Sequence, residues 1–193
     1  MRPVILASTS DMRKQLLLRL LPQVSVMAPD CDETPRAHEH PRDLALRLAI
    51  DKAASLKTQL PDHLIIGSDQ VATLDDQLII GKPMTQEGAI AQLQAASNRI
   101  QTFYTSLRLL NTHTGTMQTD VVVTQVHFRM LSDDLIMRYV TQEDVRYCAG
   151  SFKAESAGIQ LFSRIDSPDP TALLGLPLIR LVDFFIEEGV ALG

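Results

Sequence analysis

Leu64-Ile65-Ile66-Gly67-Ser68-Asp69-Gln70 is a short apolar run that stops abruptly at small and polar residues. Such a run, bounded by Gly and Ser, predicts a buried strand ending at Asp69. Two further stretches repeat the pattern. Pro3-Val4-Ile5-Leu6-Ala7 leads into Ser8-Thr9-Ser10-Asp11-Met12-Arg13, and Leu78-Ile79-Ile80 leads into Gly81-Lys82-Pro83. Ligands of open α/β sheets collect where strands end, so three strands that each close on a polar or charged cluster predict a polyphosphate site.

Outward from these strands the elements alternate. Ser10 is placed to cap a helix carrying Leu16, Leu17, Leu20 and Leu21 at helical spacing, and a short strand from Val24 to Ala28 follows. Pro41 suits the first turn of a long helix reaching about Leu60, and Asp75-Asp76 suits a hairpin turn after the Asp69 strand. Thr85 caps a helix to about Ser97. Ile100 to Met130 is rich in β-branched and aromatic residues around an Asn111 to Thr116 turn, which predicts a long antiparallel hairpin. Ser132-Asp133-Asp134 opens a short helix, Ile159 to Ile165 reads as a last strand, and a C-terminal helix ends near Gly189. The expected class is mixed α/β, in one domain over 1–193.

The whole-chain balance excludes several functions. With 193 residues, 45% hydrophobic and 21% charged, the chain suits one domain, or two lobes sharing a sheet. A formal net charge of -5 argues against a sequence-independent nucleic-acid binder. Cys31 and Cys148 lack metal-type spacing, and the five histidines show no ligand motif. No run approaches the roughly 20 apolar residues that span a bilayer, so a soluble, cytoplasmic protein without a membrane partner is expected. There is no nucleophile elbow and no P-loop.

Several residues are suited to phosphate chemistry. Ser8 and Ser10 stand at a strand-to-helix turn with Arg13 one turn further on, an arrangement that suits an anion, although a helix cap and a solvated arginine explain the same letters. Lys52 follows Leu44 and Leu48 at i+4 spacing, which puts its ammonium on the inward stripe or makes it a snorkelling side chain. Asp69 follows an apolar run, where a carboxylate needs a partner or a role, which a metal ion or a water to deprotonate would supply; closing the strand in an Asx-turn is the plainer alternative. Lys82 repeats the pattern on the next strand, between Gly81 and Pro83.

Taken in order, Ile5-Leu6-Ala7-Ser8-Thr9-Ser10, Arg13, Leu16-Leu17, Asp32-Glu33, Leu48-Ala49 with Lys52-Ala53, Gly67-Ser68-Asp69-Gln70, Gly81-Lys82-Pro83, Ala149-Gly150-Ser151-Phe152 and Gly175-Leu176-Pro177-Leu178 resemble the Maf family of nucleoside triphosphate pyrophosphatases. The resemblance covers nearly the whole chain. It implies an ITPase-like mixed sheet with flanking helices, two lobes around a central cleft, and a homodimer. It also implies hydrolysis of a nucleoside triphosphate to a monophosphate and diphosphate with a divalent cation, Mg²⁺ or Mn²⁺. A regulatory, nucleotide-binding role in septum formation is the non-enzymatic alternative.

Within the family, Gln70 and Glu155 are similar to the branch acting on 7-methyl-GTP, and the residues typical of the dTTP/UTP branch are missing at positions 12, 70 and 155. Asp11 and Met12 depart from that branch, which usually has Pro and Trp there. The resemblance implies Asp69 as proton acceptor and Glu33 with Asp69 as metal ligands. Lys52, Lys82 and Arg13 would neutralise phosphate, beside Ser8 and Ser10, while Met12, Gln70 and Glu155 would set base specificity. Glu155 could pair with a cationic methylated guanine, though a loop acid is usually a surface group. For the dimer, the hairpin or the apolar face of the last helix, with Leu181, Val182, Phe184 and Phe185, is the expected contact.

Overall fold

β1 (Val4–Ala7) is buried along its whole length and pairs in parallel with both β2 (Ser25–Met27) and β3 (Leu64–Leu74). The computed structural model describes residues 2–191. Its seven-stranded sheet has the order β2-β1-β3-β5-β6-β7, with β4 (Leu78–Ile80) paired to β3 off that path. β5 (Ile100–Asn111) and β6 (Met117–Phe128) form the expected hairpin, and β7 (Phe162–Asp166) runs antiparallel to β6. The helices are α1 (Asp11–Leu17), α2 (Pro41–Ser55), α3 (Gln86–Ala96), α4 (Asp133–Gln142) and α5 (Leu178–Glu187), so the fold is α/β with a mixed sheet.

The contacts divide the chain into two compact units. The first comprises 1–70, 105–122 and 169–193, and the second 71–104 and 123–168, so β3, β5 and β6 contribute to both. In the first unit the two-residue period of β1 and β3 sends side chains to opposite faces, and both faces are covered. Val4, Leu6, Leu64 and Ile66 join Leu16 and Leu17 of α1 and Leu181, Phe184 and Phe185 of α5. Ile5, Ala7 and Ile65 instead meet Ala53 and Leu56 at the end of α2. Each buried Leu, Ile or Phe contributes about 1.5–3 kcal/mol, so these two layers fix which helix lies on which face. In the second unit Phe103, Phe128, Phe152 and Phe162 form a chain of edge-to-face ring contacts, and α3 packs on α4.

Three expectations are corrected. β3 does not end at Asp69 but continues to Leu74, because Val71, Ala72 and Leu74 are buried as well; the Gly-Ser-Asp-Gln sequence is strand, not turn. α2 stops at Ser55, whose hydroxyl donates back to the Lys52 carbonyl at 2.9 Å, a local bond that competes with continuing the helix. The last strand starts at Phe162, after a 3₁₀ turn over Ala157–Leu161. Of the residues expected at a dimer contact on α5, Leu181, Phe184 and Phe185 are interior and Val182 is half-buried, while the same helix exposes Ile179 and Ile186. No helix among the described residues is long and apolar enough to cross a membrane.

Candidate phosphate-handling site

Asp69 sits in the middle of a buried strand, and Lys52 is brought to it by α2. The Leu44, Leu48, Lys52 stripe faces inward as its spacing predicts, with Lys52 5% exposed and Asp69 8%. A lone charge there would be costly, and the structure pairs them: Lys52 Nζ donates to Asp69 Oδ1 at 2.6 Å. Lys52 Nζ also lies 2.9 Å from Glu33 Oε1, which arrives from the irregular segment before α2. Neither the snorkelling reading of Lys52 nor the Asx-turn reading of Asp69 survives.

The close fit of α2 on β3 depends on Gly67, where a Cβ would overlap the Ala49 carbonyl oxygen and stand 3.0 Å from Ala53 N. Ser106 of β5 then ties strand to helix. Its hydroxyl donates to the Ala45 carbonyl at 2.6 Å and accepts from the Asp69 N–H at 3.2 Å, so one buried hydroxyl fixes Asp69 against the helix that carries Lys52. Nothing in the sequence marked Ser106 beyond its being a polar residue inside an apolar strand.

Arg13 joins the same cluster. Its Nε donates to the Gly175 carbonyl at 2.8 Å, and that carbonyl also accepts from the Ser68 hydroxyl at 3.0 Å. Gly175 takes φ 105°, a conformation that glycine adopts without strain, and a Cβ there would meet Arg13 Nε at 3.3 Å. Burial pushes the Arg13 guanidinium below its ordinary range, and the nearby charges of Asp69 and Glu33 oppose that shift. Arg13, Lys52, Glu33 and Asp69 are therefore one electrostatic group.

The serines shape the entry to α1. Ser8 Oγ accepts from Ser10 N at 3.1 Å, and Ser10 Oγ caps the helix by accepting from Arg13 N at 3.3 Å. Gln70 spends its amide nitrogen on Thr105 Oγ1 and on the carbonyls of Ala172 and Leu173, at 2.9–3.0 Å. Met12 is half-buried and packs on the apolar cluster between α1, α5 and the sheet.

Lys82 and Glu155 belong to the second unit, both exposed, Lys82 just after β4 and Glu155 in the turn before Ala157–Leu161. The Cys148 thiol registers both. Burial raises it, with Lys153 and Lys82 pulling it down and Glu155 and Asp144 pushing it up. Tyr139 and Glu143 of α4 and its C-cap hold the Glu155 turn, through Lys153 N to Tyr139 Oη at 3.0 Å and through Ser156 Oγ to Glu143 Oε1. Gly158 permits this, since a Cβ there would sit 3.0 Å from Tyr139 Oη.

Glu33 and Asp69 offer two carboxylates converging on one cationic position. No group of three or more metal-type side chains occurs among the described residues. Hard ions such as Mg²⁺ and Mn²⁺ commonly take only one or two protein carboxylates and complete their shell with water and phosphate oxygens, whereas in this structure it is the Lys52 ammonium on which the two carboxylates converge. Cations at Arg13 and Lys52 beside a strand-borne carboxylate make an arrangement that can bind a polyanion and accept a proton from water.

Comparison with known proteins agrees with this chemistry. A model of Maf-like proteins matches residues 3–188. A 7-methyl-GTP pyrophosphatase of Pseudomonas syringae pv. tomato is 51% identical over 191 residues, 99% of each chain. Among solved structures, a Ham1 protein of Staphylococcus aureus superposes with TM-score 0.55 at 15% identity, covering 97% of this chain and 100% of its own. A HAM1 protein of Coxiella burnetii does so with TM-score 0.56 at 17% identity and the same coverage. At these identities the structural likeness speaks for the α/β fold alone.

Proposed function

Because the chain belongs to the Maf family, we propose that it is a nucleoside triphosphate pyrophosphatase that converts 7-methyl-GTP to 7-methyl-GMP and diphosphate. The observation that carries this reading is the buried Lys52–Asp69 pair, with Glu33 on the same ammonium. Asp69 accepts a proton from the attacking water, whose oxygen bonds to phosphorus as the bridge between the α- and β-phosphates breaks. Arg13 and Lys52 offset the phosphate charge; phosphoryl transfer depends mainly on such positioning and charge stabilisation. Glu33 and Asp69 would hold the Mg²⁺ or Mn²⁺ ion, which when bound polarises phosphate oxygens. The Ser10 cap sets the direction in which α1 carries Arg13.

The methylated base is cationic, and Glu155 supplies a carboxylate able to accept from its N–H groups while attracting its charge. A charge-assisted hydrogen bond of this kind is worth roughly 1.5–3 kcal/mol. Glu155→Gln is accordingly expected to lower kcat/KM for 7-methyl-GTP by about ten- to a hundredfold while sparing GTP. Side-by-side kcat/KM values for 7-methyl-GTP, GTP, dTTP and UTP check this. A preference for dTTP or UTP would move the chain to the other branch, and failure to release diphosphate from any of them with Mg²⁺ or Mn²⁺ would leave a nucleotide-binding regulator.

The working form in this reading is a cytoplasmic homodimer. The β5–β6 hairpin exposes Met117 and Val123 and α5 exposes Ile179 and Ile186, so both segments are candidates for the contact. Light scattering at micromolar concentration is expected to give twice the 21.4 kDa chain mass, and a monomer there removes the dimer.

A further inference from the structure

Glu33 is the least supported member of the site. Its side chain is 59% exposed, and it lies in a stretch of irregular backbone between β2 and α2, yet it reaches Lys52. What holds that stretch is Arg47, on α2 five residues before Lys52. Arg47 Nε and Nη2 grip both oxygens of Glu39, at 2.6 and 2.9 Å. The same guanidinium donates from Nη1 to the Asp32 carbonyl at 3.3 Å and from Nη2 to the Thr34 carbonyl at 3.0 Å, the two residues that flank Glu33. Nη1 also approaches Asp51 Oδ2 at 3.5 Å. The loop braces itself against this grip: Asp32 Oδ1 accepts from Thr34 N and Glu39 Oε2 from Arg36 N, each at 2.9 Å. Although they belong to a surface loop and its supporting helix, the Arg47 and Glu39 side chains are only 13% and 10% exposed.

We propose that Arg47, locked by Glu39, is a positioning residue that presents Glu33 to Lys52 and to the phosphate end of the substrate. This rests on the reading that Glu33 takes part in the hydrolysis. The geometry is specific to arginine, because only a planar fork with five donors can grip a carboxylate with two nitrogens and still reach carbonyls on both sides of one residue. A surface ion pair alone would be worth little, but a clamp that fixes a reacting group acts on rate, since a 1 Å displacement there costs up to about a hundredfold. The clamp also persists across the working pH range. The Arg47 hydrogen bonds hold the Glu39 carboxyl down at about 2, and Glu39 in turn raises the Arg47 guanidinium above its ordinary value.

The test compares Glu33→Gln, Arg47→Ala, Arg47→Lys and the Glu33→Gln/Arg47→Ala double variant, at a temperature where circular dichroism shows all of them folded. Diphosphate release from 7-methyl-GTP is expected to slow by about 10- to 100-fold in kcat for each single variant, with KM changed less, and Lys is not expected to rescue Arg47. The double variant should be no slower than the slower single one, because both changes remove the same contribution. Alkylation of Cys31, two residues before Glu33, followed by peptide mass spectrometry, should quicken in Arg47→Ala and not in Glu33→Gln. If Glu33→Gln is slow but Arg47→Ala is not, or if their effects multiply, the clamp is overturned while the pyrophosphatase reading stands. If Glu33→Gln keeps full kcat, the assigned role of Glu33 and the clamp fall together.

Discussion

Asp69→Asn should cut kcat for diphosphate release by about a hundredfold or more, the scale of losing a general base, with KM for the nucleotide little moved. The fold is expected to survive. Asparagine keeps an oxygen that can accept from Lys52 Nζ, and Glu33 Oε1, 2.9 Å from that ammonium, still supplies a counter-charge, so the lysine is not left buried alone. The Ser106 contacts at this position involve only the Asp69 backbone and are untouched by the change. The loss should therefore appear in steady-state kinetics of a variant that melts near the wild-type temperature. A variant that hydrolyses 7-methyl-GTP at near the wild-type rate would remove Asp69 from the role of proton acceptor.

Gly67→Ala should be the most damaging single methyl in the first unit. The new Cβ would overlap the Ala49 carbonyl oxygen and press on Ala53 N, both backbone atoms of α2 that cannot rotate away. Overpacking typically costs 1–3 kcal/mol, and a clash with backbone belongs at or above the top of that range, so a loss of about 3 kcal/mol is expected from urea unfolding. Whatever folds must move α2 outward, carrying Lys52 away from Asp69, so residual activity should fall as well. Gly81→Ala is the control. Its Cβ would meet nothing within 4 Å, and it should leave the unfolding midpoint nearly unchanged.

Much of the fold was legible in the sequence because its signals are local. The Leu44, Leu48, Lys52 stripe, the Thr85 and Ser132 caps and the turn between β5 and β6 each lie within a few residues, and each is found where its spacing places it. The length of β3 was misread because Gly67-Ser68-Asp69 has turn chemistry, and only the tertiary burial of both faces makes it strand. The inward placing of Lys52 and of Asp69 could be read from the sequence, but not their pairing across 17 residues. Ser106, the Gly175 carbonyl and Arg47 could not. Their partners lie 8 to 162 residues away in the chain, and a serine in a strand or an arginine on a helix carries no spacing signal of its own.

The Gly175 carbonyl also imposes an order on the protein's biogenesis. It is the point to which residues 13 and 68 are both fastened, and it is made 162 residues after Arg13. A growing chain can pair β1 with β3 and dock α2 long before then, but it cannot aim Arg13 until the segment around residue 175 has left the ribosome and folded back across about 160 residues of sequence, a closure that is slow by the nature of distant contacts. A chain in which residue 175 is not yet in place lacks this acceptor for the Arg13 guanidinium. On the proposed reading, the grip of Arg13 on phosphate comes only after that closure.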